Sequence, residues 1–274
     1  MVRKKIYILC LLILLFYTLN AQTKQFEELG KYSRFGLLIG GDLYNKARLE
    51  PEYGDLTFKN LPIPSFSFGF EYDLFPKNRW SVSTGLIYVL EPLANFKVSF
   101  DAKDISDTWS DGMTIRSSGY AWISPSIPVF VTFKERISDN VFLELRTGIK
   151  VKYYRIGVGG DHQINMIDDT IARTVFGLRM ENIKQNGIYG SFVFGAGLNF
   201  LTKWSLIKVN LVYNYSFQNI VEGEYLFDNL FVSKRTYGKY YLSGNYFGLN
   251  AVFHLKRGLF NFKPKKSYTI NLPF

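Results

Sequence analysis

The sequence predicts an all-β protein, a transmembrane antiparallel up-and-down β-barrel of eight strands. Eight segments alternate apolar and polar residues, which is the period of a strand with two different faces. The gaps between these segments alternate long and short along the chain, as the external loops and periplasmic turns of a membrane barrel do. The 25 Phe and 19 Tyr among 274 residues also suit lipid-facing strands with aromatic belts at both interfaces.

Residues 1–21 are predicted to be a cleaved signal peptide. Basic residues at positions 3–5 precede the apolar run 6–15, and Ala21 provides the small residue of a cleavage site before Gln22. The alternative is an uncleaved membrane anchor, but the apolar run is too short to span a bilayer comfortably. We therefore expect the mature chain to begin at Gln22 and to be exported.

Cys10 is the only cysteine of the chain and lies inside the apolar run of the leader. A lipid-acceptor cysteine would close that run, so Cys10 is interpreted as a small apolar filler. The formal net charge is +10, and loss of the leader's three cations leaves about +7. The basic residues are scattered and form no run interleaved with aromatics, which argues against nucleic acid and favours contact with anionic lipid headgroups.

The predicted strands can be placed from the alternation alone. They lie near residues 34–44, 65–74, 80–90, 120–134, 141–155, 189–201, 205–217 and 244–256. If both termini are periplasmic, the first gap is external. The long gaps then all lie outside and the short gaps all lie in the periplasm, as in an outer-membrane barrel. The barrel domain is predicted to cover 22–256, with a polar lead-in before the first strand, and 257–274 to form a periplasmic tail.

Two strands carry irregularities. The third strand is open to a continuation through 96–100, after which 101–118 is a polar gap. In the fourth strand, Pro125 and Pro128 are expected to weaken the first half as a ladder member, because proline donates no backbone N–H.

The fifth strand predicts what the lumen contains. Its apolar face includes Leu143 and Leu145, and its opposite face carries four charged residues, which a dry core would not tolerate. Strand two adds two inward acids, and inward glycines leave room for long charged side chains in a narrow lumen. A structural ion-pair network is therefore predicted, with a transport path as the alternative. Its members are Glu71, Asp73, Glu144, Arg146, Lys150 and Lys152.

Two tryptophans are predicted to anchor the barrel in the interface. Trp80 and Trp204 each lie at or just after a short gap and open a strand. Indole rings favour the membrane–water interface, where their apolar body and polar N–H are both satisfied. Both are therefore expected at the periplasmic interface.

The arrangement resembles the PorT-like outer-membrane β-barrel family of Gram-negative bacteria. The resemblance covers strand one to strand eight and rests on four segments: 68–72, 80–88, 127–134 and the strand that contains Gly148. It implies the fold and the outer-membrane location, and no activity. Phe274 looks like the C-terminal aromatic of a barrel-assembly signal, from which Pro273 and the basic segment 263–266 depart.

The candidates for chemistry are few. His162 follows Asp161 in the third external gap, after the glycine-rich segment 157–160, and we interpret it as a solvated loop histidine at a flexible tip and not as part of an acid–base pair. His254 is expected to face inward as a hydrogen-bond partner. Four aspartates of the 101–118 gap could hold calcium but lack an EF-hand spacing, so a solvated loop is expected. They are Asp101, Asp104, Asp107 and Asp111.

The sequence predicts no enzyme activity, no metal and no cofactor. The predicted function is that of a small outer-membrane barrel acting as a binding, scaffold or secretion-accessory protein. The predicted partners are outer-membrane lipid and a protein that contacts the external loops or the periplasmic tail. A narrow channel or a hydrophobic-ligand carrier is the first alternative, and a rim hydrolase the second.

Overall fold

The computed structural model describes residues 23–106, 110–154, 159–168, 171–182 and 187–258. The leader, the cleavage site, Asp107 and the tail from residue 259 lie outside the described residues. A 3₁₀ helix spans Thr23–Lys31 and a short α-helix spans Ala102–Ile105. The strands are β1 Phe35–Tyr44, β2 Arg48–Tyr53, β3 Lys59–Asn60, β4 Ile63–Asp73, β5 Trp80–Phe100, β6 Met113–Ser138, β7 Val141–Tyr153, β8 Gly159–Asp168, β9 Ile171–Glu181, β10 Ile188–Leu201, β11 Ser205–Ser216, β12 Asn219–Phe227, β13 Thr236–Ser243 and β14 Tyr246–Leu255.

Eight long strands close into a barrel, as the sequence predicted. Neighbours pair in the order β5-β4-β1-β14-β11-β10-β7-β6, and β6 pairs back onto β5, always antiparallel. Along β1 the residues alternate between exposed and buried, with Phe35, Leu37 and Ile39 on the outside. An apolar outer belt on a closed ring without strand edges is the form in which β-structure crosses lipid. No helix in the described residues is long and apolar enough to span a bilayer.

The barrel end that carries the short turns is closed by the N-terminal segment. Both ends of the barrel chain meet there, because Tyr32 pairs with Lys256. The lead-in predicted only as polar forms the 3₁₀ helix, whose buried face includes Phe26 and Leu29. These side chains pack with Tyr32, Phe142 and Leu206 in an apolar cluster. The cluster seals this end of the lumen.

The prediction that the long gaps are loops is wrong. Residues from three of the four gaps form a second, five-stranded sheet in the order β2-β13-β12-β9-β8. The 101–118 gap is shortened instead, because β5 runs on to Phe100 and β6 begins at Met113, so the two extend beyond the barrel as a hairpin. We refer to this second sheet, the upper part of the β5–β6 hairpin (93–100 and 113–121) and β3 together as the head.

An aromatic core joins the two layers of the head. Phe58 immediately precedes β3 and Phe96 belongs to β5, on the hairpin side, whereas Phe176, Tyr225 and Phe227 come from the five-stranded sheet. The ring centroid of Phe58 lies 5.2 Å from that of Phe176 and 5.3 Å from that of Tyr225. These five side chains are buried or nearly so. Burial of several aromatic rings is a large hydrophobic contribution, so the head is a folded unit rather than a set of solvated loops.

The two prolines of the fourth predicted strand do not interrupt β6. Pro125 lies opposite Tyr88 of β5, and Pro128 lies opposite Lys150 of β7. The carbonyl of Pro128 accepts a hydrogen bond of 2.8 Å from the hydroxyl of Thr84. The strand loses two N–H donors and keeps its register across both prolines, because β5 pairs with it on one side and β7 pairs with it on the other from Ser126 onward.

Candidate functional site

The half of the lumen nearer the short turns contains a buried ion-pair cluster around Arg146. Its guanidinium contacts Glu71 at 2.8 Å and donates from Nε to Glu144 at 2.9 Å. The ammonium of Lys208 lies 2.9 Å from Glu71 Oε1 and 2.7 Å from Asp73 Oδ2. These five side chains are almost completely enclosed. Each buried charge is therefore matched by an opposite charge, which a lumen without bulk water requires.

The other two predicted members, Lys150 and Lys152, belong to a second cluster nearer the head. Lys152 pairs with Glu91 at 2.8 Å, and Lys150 donates to the hydroxyl of Tyr246 at 2.5 Å. Lys150 also lies 4.5 Å from the centre of the Tyr246 ring, and Asp42 is enclosed in the same region. The structure thus divides the six predicted residues between two clusters.

The buried acids and bases of the two clusters are equal in number once Lys134 is included. Besides His254, the buried Asp, Glu, Lys and Arg side chains of the barrel strands are five acids and five bases. They are Asp42, Glu71, Asp73, Glu91 and Glu144 against Lys134, Arg146, Lys150, Lys152 and Lys208. Eight strands enclose just enough space for side chains to fill. A neutral and filled interior can hold the barrel wall together but leaves little room for a conducting path.

Glu71, Asp73 and His254 place three possible metal-ligating atoms within 4.8 Å of one another. The ammonium of Lys208 lies on both carboxylates, and Nδ1 of His254 is 3.0 Å from the carbonyl of Ser33. A divalent cation would have to displace Lys208 and would then face Arg146. The chemistry of this group is therefore that of an ion-pair network, with His254 tying the N-terminal segment to β14.

Four charged members of the lumen were missing from the predicted network. Asp42 shares the inward face of the first strand with Gly36 and Gly40, so its position was readable from the alternation. Lys208 lies on the inward face of the seventh strand together with Asn210. The alternation of these polar residues with outward apolar residues could have placed Lys208 in the lumen. Glu91 follows the predicted end of strand three, and no face could be assigned to it. Lys134 lies at the end of the fourth predicted strand, and its ammonium is 3.3 Å from the carbonyl of Pro76.

Trp80 and Trp204 both lie at the short-turn end of the barrel with their side chains outward, 46% and 57% exposed. The Trp80 ring packs on Phe133 at 5.0 Å. The ammonium of Lys203 lies 4.9 Å from the ring centre of Trp204. A row of aromatic rings with adjoining cations is typical of the interface between lipid and water.

The prediction of a solvated loop histidine at position 162 is wrong. Gly159 and His162 belong to β8, and Gly157 and Val158 lie outside the described residues. Nδ1 of His162 lies 3.2 Å from the hydroxyl of Ser117, and its ring packs edge-on against Phe96 at 5.5 Å. Neighbouring residues of a strand point to opposite faces, so the side chain of Asp161 is turned away from the ring.

The environment of His162 predicts a pH dependence of the head. Partial burial lowers the pKa of His162, and the nearby charge of Asp161 opposes this shift. The unfolded chain then binds the proton more readily, so stability falls as the pH drops through the unfolded value of about 6.5. We expect the urea midpoint of the wild type to fall more between pH 8 and pH 5 than that of His162→Gln. Equal pH dependence of the two proteins would contradict this assignment.

The expectation that the aspartates of the 101–118 gap lie in a solvated loop is wrong for Asp104. Asp104 is buried and accepts hydrogen bonds from the backbone N–H of Val232 at 3.3 Å and of Ser233 at 2.7 Å, and from the Ser233 hydroxyl at 2.8 Å. It therefore connects the short helix of the hairpin to the segment before β13. Asp101 and Asp111 are exposed as expected.

The outward face of the five-stranded sheet carries a row of alternating charges. The register aligns five side chains across five strands in the order acid, base, acid, base, acid. They are Glu50, Lys239, Glu224, Arg179 and Asp161. Opposite charges on directly facing strand positions stabilise a sheet slightly. The row also gives this face a polar surface with positions for both signs of charge.

A groove of about 600 Å³ lies beside this row. It lies over Gly177, and its walls include Arg179, Glu224 and Tyr237. A Cβ added at Gly177 would meet no atom within 4 Å, so the glycine opens the middle of the sheet face. Tyr237 stacks on Tyr53 with ring centroids 5.7 Å apart, which gives the groove a rigid aromatic end.

No family model matches the chain, and no curated protein matches it. Solved structures similar to it include the outer membrane protein OprG from Pseudomonas aeruginosa, with 7% identity and a TM-score of 0.39 over 82% of this chain and 96% of that chain. Ail, the attachment invasion locus protein of Yersinia pestis, has 13% identity and a TM-score of 0.30 over 80% and 97%. The outer membrane protease OmpT from Escherichia coli has 10% identity and a TM-score of 0.30 over 82% and 94%.

Proposed function

We propose that this protein is a non-enzymatic outer-membrane binding protein, in which a closed barrel anchors a folded head that recognises a protein partner outside the cell. The proposal includes membership of the PorT-like family, export by a cleaved signal peptide and a Gram-negative source. It assigns the recognition to the head and a supporting role to the lumen.

The closed lumen is the observation that carries the proposal. The barrel is filled by two ion-pair clusters, sealed at one end by the apolar cluster around Phe26 and covered at the other end by the head. A channel needs a continuous wet path, and a carrier of hydrophobic ligands needs an apolar cavity. The described residues form neither inside the barrel, so the surface available for recognition is that of the head.

Conductance measurements distinguish the proposed anchoring role of the barrel from the alternative of a channel. Purified full-length protein in planar bilayers should show no single-channel steps above those of a detergent blank. A variant lacking 23–31 removes the 3₁₀ helix and serves as the comparison for an unsealed end. Regular steps from the wild-type protein would show that the lumen conducts and would overturn the anchoring role.

The groove over Gly177 is the proposed recognition surface. Gly177→Phe should fill it without disturbing the fold, because a Cβ at this position would meet no atom within 4 Å and the ring can enter the open groove. The matched control is Gly41→Phe, since Gly41 is equally open but lies on the lipid-facing side of β1. A photo-crosslinking amino acid at Tyr237 should give an adduct on whole cells that Gly177→Phe abolishes and Gly41→Phe retains. An adduct unaffected by Gly177→Phe would remove the groove from the proposal.

The contact between Ser117 and His162 favours a rim hydrolase as the second candidate. A serine hydrolase needs an acid that orients the histidine and donors that stabilise an oxyanion. Asp161 cannot fill the first role, because it shares the outward face of β8 with Gln163, which donates to it at 2.9 Å. We therefore expect wild type and His162→Ala to hydrolyse activated esters equally slowly. Loss of ester hydrolysis in His162→Ala would favour the enzyme.

Cysteine labelling is expected to show the orientation of the barrel in cells. Asp161→Cys lies on the exposed face of the head and should react with an impermeant maleimide on whole cells. Asp139→Cys lies in a short turn, where the Asp139 side chain is 94% exposed, and should react only after the outer membrane is permeabilised. The wild type is the blank, because its only cysteine lies in the predicted leader. The opposite labelling pattern would invert the barrel and place the head in the periplasm.

A further inference from the structure

Three cations form a row on the outward face of the hairpin layer. The register places Lys59 of β3 opposite Lys97 of β5, and Lys97 opposite Arg116 of β6. All three side chains are exposed, and none takes part in an ion pair among the described residues. Like charges on directly facing strand positions destabilise a sheet. An external anion would offset this repulsion.

The row adjoins a surface pocket suited to an oxyanion. A cavity of about 320 Å³ is lined by Lys59 and Lys97 together with Thr57, Phe58 and Ser99. The hydroxyl of Ser99 lies 2.9 Å from that of Thr114, so two hydroxyls adjoin the cations. Ammonium, guanidinium and hydroxyl donors are the groups that bind phosphate oxygens.

The side chains on the outward face of β6 indicate the height of this row relative to the bilayer. Reading up the strand from the barrel, the exposed side chains are aliphatic at Val129 and Ile127, aromatic at Trp122 and Tyr120, and cationic at Arg116. This order matches hydrocarbon, interface and headgroup layers of a bilayer. Arg116 lies four positions from Tyr120, which is about 13 Å along a strand and less in height once the strand is tilted. The cations therefore reach the height of lipid headgroups and face sideways toward them.

We propose that Lys59, Lys97 and Arg116 bind the phosphates of a phosphorylated glycolipid in the outer leaflet. This site lies on the hairpin layer, whereas the groove over Gly177 lies on the five-stranded layer. The proposal depends on the membrane placement of the barrel and not on the identity of any partner of the groove. Lipid bound here would also fix how far the head stands above the bilayer.

The test uses lipid A in mixed detergent micelles as the probe. The double variant Lys97→Gln, Arg116→Gln should bind lipid A roughly 10- to 30-fold more weakly than wild type, as expected for loss of two cations near an anionic surface. The control Lys103→Gln, Lys234→Gln removes the same charge from two exposed positions outside the row and should bind like wild type. Dephosphorylated lipid A should bind wild type as weakly as lipid A binds the double variant.

Further measurements distinguish a lipid site from a site for free anions and from general charge attraction. Inorganic phosphate at the same phosphate concentration should not compete. Without glycolipid, the double variant should be at least as heat-stable as wild type, because the repulsion within the row is gone; with lipid A, wild type should gain more stability. Wild-type affinity in the double variant, an equal loss in the control, or competition by free phosphate would each overturn the proposal.

Discussion

Replacing Arg146 with leucine is expected to lower the free energy of unfolding of the barrel by about 3–5 kcal/mol. The guanidinium contacts both Glu71 and Glu144. Its removal leaves Glu71 with Lys208 alone, and Glu144 with the side-chain amide of Asn199 at 2.8 Å. A buried carboxylate that has lost its cation keeps the full cost of desolvation. The measurements are the urea midpoint in detergent and the heat-modifiable shift on a gel.

A surface arginine provides the matched control for this change. Arg136 pairs with Asp139 at 2.6 Å at an exposed turn. Exposed pairs of this kind contribute about 0–1 kcal/mol, so Arg136→Leu should be nearly silent. Adding Glu144→Gln to Arg146→Leu should restore part of the loss, because one unpaired charge disappears. If Arg146→Leu were as silent as Arg136→Leu, the lumen would be hydrated and the ion-pair network would not support the barrel.

The barrel could be predicted from the sequence because its signal is local. Each strand of an up-and-down barrel has a lipid face and a lumen face, so alternation assigns the side chains of a regular strand to a face without knowledge of its neighbours. Ion-pair partners are different. Lys208 and Glu71 are 137 residues apart, and they meet only because strand order, stagger and closure bring β4 and β11 across one lumen.

The head was missed because its strands lack that local signal. In β13, the tyrosines at 237 and 241 point outward while Tyr240 is buried, so aromatic residues occur on both faces. Gly238 takes an inward position, where the Tyr225 hydroxyl is already close. In β8 the polar His162 takes an inward position, whereas Ile167 is exposed on the outward face. These strands are defined by the aromatic core that they build together, and a short window of sequence does not contain that information.

Placing arginine at position 149 is the second change for which we expect a large effect. Ile149 lies near the middle of β7, is 48% exposed and points outward between Val129 and Phe192 of the adjacent strands. A charged side chain there would have to enter hydrocarbon, at a cost of about 2–4 kcal/mol near the bilayer midplane. Ile149→Arg should therefore lower the urea midpoint in lipid vesicles strongly, whereas Ile149→Leu should change it little.

The depth of Ile149 in the bilayer can be tested by making the same isoleucine-to-arginine change at a position near the membrane interface. Ile137 is also exposed but lies at the short-turn end of β6, beside Arg136. The cost of arginine falls to about 0–1 kcal/mol near the interface, so Ile137→Arg should be tolerated. Lys150, the next residue after Ile149, points into the lumen. Neighbouring residues of a strand face opposite sides, so a lysine is accepted at 150 while a cation at 149 would face lipid. Should Ile149→Arg prove as mild as Ile137→Arg, the belt around Ile149 would not contact lipid, and the membrane placement of the barrel would have to be abandoned.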